Sequence, residues 1–377
     1  MINWCYVYLS KVKKERSSFL SNVPVRTANL LKGDAIIHVV YIGKLDRKIF
    51  ENENIKCHQY DGFFNVVPYL RYLGLSFFLI RLSKEYRFDV VQNVWKHYFL
   101  FPIYLASFFC DFKLVARVAG VPISRKYQKN LFSWLRKKIV LLIERASLHC
   151  ADKIQVLSNS LKEEFEQRIN NPSKIVVIPQ GVNTDLFPYK ERNIPIDPLK
   201  VLYVGRISME KGIADLIEAV GNLESKLISN IKITLIGECL DKTKEQLQRK
   251  ISQLDIDDIV EWKGYIIQDE LKNYYHSYSL LILPSRTEGL PNVILEGMAS
   301  GIPCLGTAVG EIPYLLGENR GILVNPNDFK DLQDKFCMVL ENEIDFRRMI
   351  QNSYHFINRE HSFNVVKQKY LDLLNIL

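Results

Sequence analysis

The 377-residue chain has no Cys-x-x-Cys pair; its seven cysteines, at 5, 57, 110, 150, 239, 304 and 337, stand singly. That spacing offers neither a zinc site nor a disulfide framework and suggests reduced thiols in a cytosolic setting. The seven histidines form no His-x-His or His-Glu-x-x-His cluster, so no metal is expected from them. Asp255-Ile-Asp257 imitates a divalent-cation pair, but it falls between patterns ending at Leu254 and beginning at Ile259 and reads as a helix-to-strand loop. Long hydrophobic runs are missing too. The longest charge-free apolar stretch, Tyr98 to Phe109, is about 12 residues against the roughly 20 that a spanning helix needs, and reads as a buried helix. Trp4 to Leu9 is followed by Lys11, Lys13, Lys14 and Arg16, the reverse of a signal peptide's order, and reads as a first strand. No internal repeat or low-complexity tract is visible.

What remains is a globular composition, 47% hydrophobic and 24% charged, on a chain long enough for two α/β domains. Charge is uneven: residues 1–190 carry a net +14 and residues 191–377 a net −6, and 29 of the 43 aromatics lie in the first half. A basic, aromatic-rich surface suits an anionic membrane leaflet and a lipid-linked acceptor. Its sharpest segment runs from Arg125-Lys126-Tyr127 through Phe132, Trp134, Leu135 and Arg136 to Ile139. Phe132, Leu135 and Ile139 also share one helical stripe, so a core-facing helix with a solvated basic side is the competing reading. Nucleic-acid binding is not expected, since no nucleic-acid module accompanies the charge.

Strand patterns alternate with helical ones. Trp4–Leu9, Ala35–Tyr41, Asp89–Val94, Lys113–Val118, Lys153–Leu157 and Ile175–Ile178 predict one parallel sheet. Asn183 to Lys200, with Pro188, Pro195 and Pro198, reads as a linker. Val201–Val204, Lys232–Ile236, Ile259–Lys263, Leu280–Leu283, Pro303–Gly306 and Gly321–Val324 predict a second sheet. Ligands of such sheets bind beyond the carboxyl ends of the strands, so the expected fold is two Rossmann-like, doubly wound domains, 1–182 and 183–359, facing across a cleft.

Two segments carry chemistry. Val201-Leu-Tyr-Val-Gly205-Arg206-Ile-Ser-Met-Glu-Lys211-Gly212 predicts a buried strand, a turn bearing two cations, and a helix over Ile213, Leu216, Ile217 and Val220. Arg206 offers a planar fork of donors and Lys211 a mobile point charge, together able to clamp a leaving diphosphate. Glu288-Gly-Leu-Pro-Asn-Val-Ile-Leu-Glu296 places one carboxylate just outside a helix N-terminus and a second on the order of 12 Å further along the axis. Unpaired N–H groups and the dipole at that terminus favour an anion. A charged loop and solvated helix glutamates are the bland alternative for either segment alone; both in one parallel-sheet unit favour a ligand site.

Gly205-Arg206-x4-Lys211-Gly212 with Glu288-x7-Glu296 resembles the signature of the family-4 retaining glycosyltransferases, glycosyl transferases group 1, of GT-B fold. Ile178-Pro-Gln-Gly-Val-Asn-Thr-Asp-Leu-Phe187, Ile233-Thr-Leu-Ile-Gly237-Glu238, Val260-Glu-Trp-Lys-Gly264 and Gly301-Ile-Pro-Cys-Leu-Gly-Thr-Ala-Val-Gly310 fit the same pattern, over roughly residues 144 to 370. The resemblance implies transfer of a sugar from a UDP- or GDP-sugar to a hydroxyl of a lipid-linked or saccharide acceptor, with retention, no metal and no cofactor. It implies Arg206, Lys211 and Glu288 as catalytic residues, with Gly205, Glu288, Gly289, Leu290, Asn292 and Glu296 on the donor; Glu296 would hold the ribose and Glu288 a sugar hydroxyl. It also implies that a helix at about 360–377 crosses back onto the first domain. Bacterial surface-polysaccharide assembly on the inner face of the plasma membrane is the expected setting.

The first domain departs from that pattern. Where many members have a glycine pair after the first strand, this chain has Lys14-Glu15-Arg16-Ser17-Ser18-Phe19, and Ala119 stands where many carry a histidine. Ser17, Ser18, Arg117, Ala119 and Arg125 are therefore the acceptor-side candidates, with His97 a possible substitute. These departures keep a non-catalytic nucleotide-sugar-binding scaffold, and another GT-B enzyme such as an epimerase, as alternatives.

Overall fold

The computed structural model describes residues 1–8, 22–42, 53–60, 70–93, 100–118, 145–146, 148–191, 194 and 198–377. The chain divides into two compact units, Met1–Pro179 with Val366–Leu377, and Gln180–Val365.

The first unit is built on seven parallel strands: β1 (Ile2–Tyr8), β2 (Ala35–Ile42), β3 (Ile55–Tyr60), β4 (Val90–Asn93), β5 (Lys113–Val118), β6 (Lys153–Val156) and β7 (Ile175–Val177). Their order is β3-β2-β1-β4-β5-β6-β7, a doubly wound sheet. Central strands such as β4 are buried along their whole length and read as unbroken runs because helices cover both faces. The exception is β3, Ile-Lys-Cys-His-Gln-Tyr, absent from the sequence-based strand set. It lies at the sheet edge with only Tyr60 fully buried, so no apolar run marks it. Tyr98–Phe109 also needs correction. The helix is Leu100–Ser107 and buries Ile103 and Ala106, but Phe108 and Phe109 lie beyond its end and are 65% and 69% exposed.

One face of this sheet carries a buried polar chain. Trp4 Nε1 donates to Gln92 Oε1 at 3.1 Å, Gln92 Nε2 to Gln155 Oε1 at 2.6 Å, and Gln155 Nε2 to the Ile178 carbonyl at 3.1 Å. Gln155 Nε2 also lies 3.2 Å from Tyr370 Oη, on the final helix Phe363–Asn375. Val366, Tyr370 and Leu373 form that helix's buried stripe, Trp4 packs edge-on against Tyr370 at 5.4 Å, and Lys367 pairs with Asp34 at 2.6 Å. The end of the chain is thereby part of the first unit.

The second unit has six parallel strands: β8 (Leu199–Val204), β9 (Ile231–Ile236), β10 (Val260–Gly264), β11 (Leu280–Leu283), β12 (Cys304–Thr307) and β13 (Ile322–Val324). Their order is β10-β9-β8-β11-β12-β13. β8 and β11 are neighbours, so the strand order reverses between them, and the loops leaving their carboxyl ends flank the topological switch point where such sheets bind ligands. Asp255-Ile-Asp257 joins the helix Asp241–Gln253 to β10; Asp255 is left-handed at φ 54° and Asp257 Oδ1 accepts from Gln248 and Ser252 at 2.8 Å each. Among the described residues no helix is long and apolar enough to cross a membrane.

Candidate functional site

The switch point of the second unit is built from two loops. The first leaves β8 through Gly205 at φ 149°, and Tyr203 Oη donates to the Arg206 carbonyl at 2.9 Å, pinning the turn. Gly237, after β9, lies so close that a Cβ there would meet the Gly205 carbonyl oxygen at 1.9 Å. Arg206 is exposed at the strand end. A short 3-10 turn, Met209–Lys211, then delivers Gly212 in the left-handed region at φ 69°, where a Cβ would lie 1.8 Å from the Pro284 carbonyl oxygen. Only glycine satisfies both conditions, and its backbone locks the first loop onto the second. Ser208 Oγ, between the two cations, is buried and has no hydrogen-bond partner among the described residues.

The second loop leaves β11 at Pro284. Glu288 Oε1 accepts from Lys211 Nζ at 2.5 Å and from Ser285 Oγ at 2.7 Å. The Lys211 and Glu288 side chains are 22% and 11% exposed, so the pair is mostly shielded from water. Arg286 anchors the loop from outside through a two-pronged pair with Asp215 at 2.8 and 3.1 Å, and its N–H donates to the Glu210 carbonyl at 3.0 Å. The Tyr203 phenol reports the charges around it. Burial raises its pKa, the Glu288 carboxylate raises it further, and the Arg206 cation lowers it.

Helix Asn292–Ser300 follows. Its N-cap is Pro291, with no side-chain cap bond, and the helix Ile213–Gly221 after the first loop likewise starts at Gly212 without one. Neither cap residue, a proline and a glycine, supplies a side-chain acceptor to the amides of its helix start. Gly289 is half-buried and its carbonyl accepts from Glu311 N–H at 3.0 Å; Gly310, at φ 56°, sits where a Cβ would be 2.4 Å from the Glu288 carbonyl oxygen. Leu290 is buried and Asn292 half-buried.

Glu296 is 5% exposed, not the solvated helix glutamate of the bland reading. Oε2 accepts from Tyr275 Oη at 3.0 Å and Oε1 from Gln268 Nε2 at 3.3 Å, both on the helix Gln268–Ser277. Tyr275 is itself fully buried, edge-on to Phe187 at 5.7 Å. A buried hydrogen bond from Tyr275 and a partly buried one from the exposed Gln268 hold the carboxylate in place, and its burial is a cost in desolvation that calls for a ligand or a structural return.

The structure thus brings Lys211 and Glu288 into contact, with Gly205, Arg206, Gly289, Leu290 and Asn292 on the same two loops and the helix start that follows, and it sets Glu296 deeper in that helix. Ser17, Ser18, His97, Ala119 and Arg125 lie outside the described residues, as does the basic segment from Arg125 to Ile139. Arg117 sits near the carboxyl end of β5 in the first unit, 6% exposed. Sequence reasoning missed Ser285, Tyr275 and Gln268. Ser285 could have been found, three residues before Glu288 at the end of an apolar strand; the other two lie on a polar helix whose spacing says nothing of Glu296.

Two family models match the chain: "Glycosyl transferases group 1" over residues 189–356 and "Glycosyltransferase Family 4" over residues 30–186. The amylovoran biosynthesis glycosyltransferase AmsK of Erwinia amylovora is 27% identical over 54% of this chain and 51% of its own. A D-inositol 3-phosphate glycosyltransferase of Streptomyces scabiei is 32% identical over 42% of this chain and 39% of its own. The chain spans about half the length of the curated relatives it matches. Among solved structures, Anabaena Alr3699/HepE in complex with UDP superposes with a TM-score of 0.80 at 15% identity, covering 100% of both chains.

Proposed function

The chain belongs to the family-4 glycosyltransferases of GT-B fold, and from that premise we propose that it moves a sugar with retention from a UDP- or GDP-sugar to a hydroxyl of a lipid-linked or saccharide acceptor in surface-polysaccharide assembly. The observation that carries the donor half is the Lys211–Glu288 pair at the switch point of the second unit, next to Arg206 and an uncapped helix N-terminus.

In this reading the diphosphate gains negative charge as the sugar C1 becomes cationic. Arg206, Lys211 and the amides that begin the helix Asn292–Ser300 are placed to meet that charge. Ser208, between the two cations in sequence, keeps a buried Oγ with no hydrogen-bond partner among the described residues, a hydroxyl left over for the same group. Glu288 is held by Lys211 and Ser285 through Oε1, which leaves Oε2 to accept a sugar hydroxyl. Glu296, held by Tyr275 and Gln268, takes the ribose hydroxyls, and Gly205, Gly289, Leu290 and Asn292 line the phosphates. Same-face attack, with a departing phosphate oxygen taking the acceptor proton, needs no metal.

The reading places the protein peripherally on the inner face of the plasma membrane. The net charge of +14 over residues 1–190 supports it, and so do the exposed Leu73, Phe77, Phe108 and Phe109 in the first unit. A thermal-shift panel of UDP- and GDP-sugars tests the donor assignment, since a specific ligand stabilises the native state by mass action. Release of free UDP or GDP from the stabilising sugar, in the presence of chelator and without acceptor, separates a metal-independent enzyme from a silent binder. Absence of stabilisation by every nucleotide sugar overturns the reading.

A further inference from the structure

Arg117 is the second-last residue of β5, only 6% exposed, and its Nε is buried with no hydrogen-bond partner among the described residues. No carboxylate among the described residues forms an ion pair with it. An arginine stays charged at every physiological pH and presents five donors, so burying one without a counter-ion is costly. Such residues are almost never this buried unless paired.

The surrounding polar groups are engaged elsewhere. Arg117 is in register with Gln155 on β6, and the two therefore share a face with Tyr6 and Gln92, which are themselves register partners. Gln155 Oε1 accepts from Gln92, Gln92 Oε1 accepts from Trp4, and Tyr6 Oη is bonded to Thr27 Oγ1 at 3.0 Å. Asn93, at the end of β4, spends Oδ1 on the Arg117 backbone N–H at 2.9 Å. Lys113 and Lys153 lie on the same face by register but are exposed and half-buried, so among the described residues the guanidinium is the buried cation of a polar sheet face whose neighbours pair among themselves. It stands at the carboxyl end of a parallel sheet, the end at which such sheets bind ligands.

We propose that Arg117 is an oxyanion subsite for the acceptor: it receives a carboxylate or phosphate group borne by the acceptor saccharide or its carrier. The inference rests on the glycosyltransferase reading above and narrows its acceptor to an anionic one. Two oxygens of such a group met by two parallel N–H donors supply a counter-charge and fix the acceptor's orientation.

The test uses the full chain and its Arg117→Gln and Arg117→Met variants. With UDP or GDP saturating the donor site, affinities for glucuronate, glucose 6-phosphate and neutral glucose are measured by calorimetry. The wild type should favour the two anionic sugars over glucose by about tenfold, and both variants should lose that preference. Without ligand, Arg117→Met should melt at or above the wild-type temperature, since it removes a buried cation that no described carboxylate pairs; a large fall would mark Arg117 as structural and overturn the proposal. A retained preference in Arg117→Gln overturns it as well. Comparison of UDP-glucuronate with UDP-glucose identifies the source: a charged-donor preference that vanishes in Arg117→Gln would put the oxyanion on the donor and sink the acceptor assignment. Failure of every nucleotide to bind would instead count against the glycosyltransferase reading, while the sugar arms still report on Arg117.

Discussion

Lys211 Nζ lies 2.5 Å from Glu288 Oε1, although the two residues come from loops that follow different strands. The pair is a direct link between the cation proposed for the diphosphate and the carboxylate proposed for the sugar. Lys211 has three donors and uses one on Glu288, so it can hold a phosphate oxygen at the same time.

That coupling predicts non-additive kinetics. Lys211→Ala should lower kcat/KM by ~3–4 kcal/mol, the size of a lost oxyanion donor. Glu288→Gln should lower it by a similar amount, and the double variant should fall short of the sum by about 1 kcal/mol or more, as contacting residues do. A double-mutant cycle on initial rates measures this. Full additivity would mean that the two act separately.

Arg206 makes the opposite case. It is exposed and forms no ion pair among the described residues, so Arg206→Ala should leave the melting temperature within about a degree or two of the wild type, as surface substitutions do. Turnover should nonetheless fall about 100-fold or more if the guanidinium meets charge on the leaving diphosphate. Parallel thermal melts and rate measurements separate the two effects. A destabilised Arg206→Ala with normal turnover would contradict the assignment.

Much of this site was legible in the sequence because strand, loop and helix follow one another locally. Gly205, Arg206 and Lys211 sit between an apolar run and a helical period, and Glu288 stands just before a proline-marked helix start. The contacts that tune them were not legible. Tyr275 and Gln268 reach Glu296 from a separate helix, and the left-handed Gly212 and Gly310 are required by approaches to Pro284 and Glu288, which sequence spacing does not encode. The edge strand β3 failed for a different reason: its half-buried, mixed residues show neither an apolar run nor clean alternation.

Tyr275 and Glu296 give a prediction that rests on such a non-local contact. Tyr275→Phe removes the donor 3.0 Å from Oε2 while keeping the ring against Phe187. A lost hydrogen bond to a charged group is worth about 1.5–3 kcal/mol. If Glu296 takes the ribose as proposed, it binds it alike in ground and transition states, so the loss should appear mainly in donor KM, raised about tenfold, with kcat little changed. Steady-state kinetics with varied donor tests this; a fall in kcat at constant KM would remove Glu296 from the ribose.

Stability should also fall in mild acid, for a reason confined to the first unit. His38 is fully buried, with Nδ1 2.9 Å from His58 Nε2 and Nε2 3.2 Å from Asn3 Oδ1, against the rings of Tyr86 and Phe88. Burial, then His58 and Lys56, lower its pKa from 6.5 to about 3. His58 is lowered as well, chiefly by burial. Between those values of pH the unfolded chain binds a proton at His38 that the folded chain refuses, so the folded state loses stability as pH drops from 6.5 towards 3. Melting temperature should decline from pH 7 to pH 5, and His38→Gln, which does not titrate, should show a shallower decline over the same interval. Equal slopes in the two proteins would show that His38 does not set the acid sensitivity of this sheet.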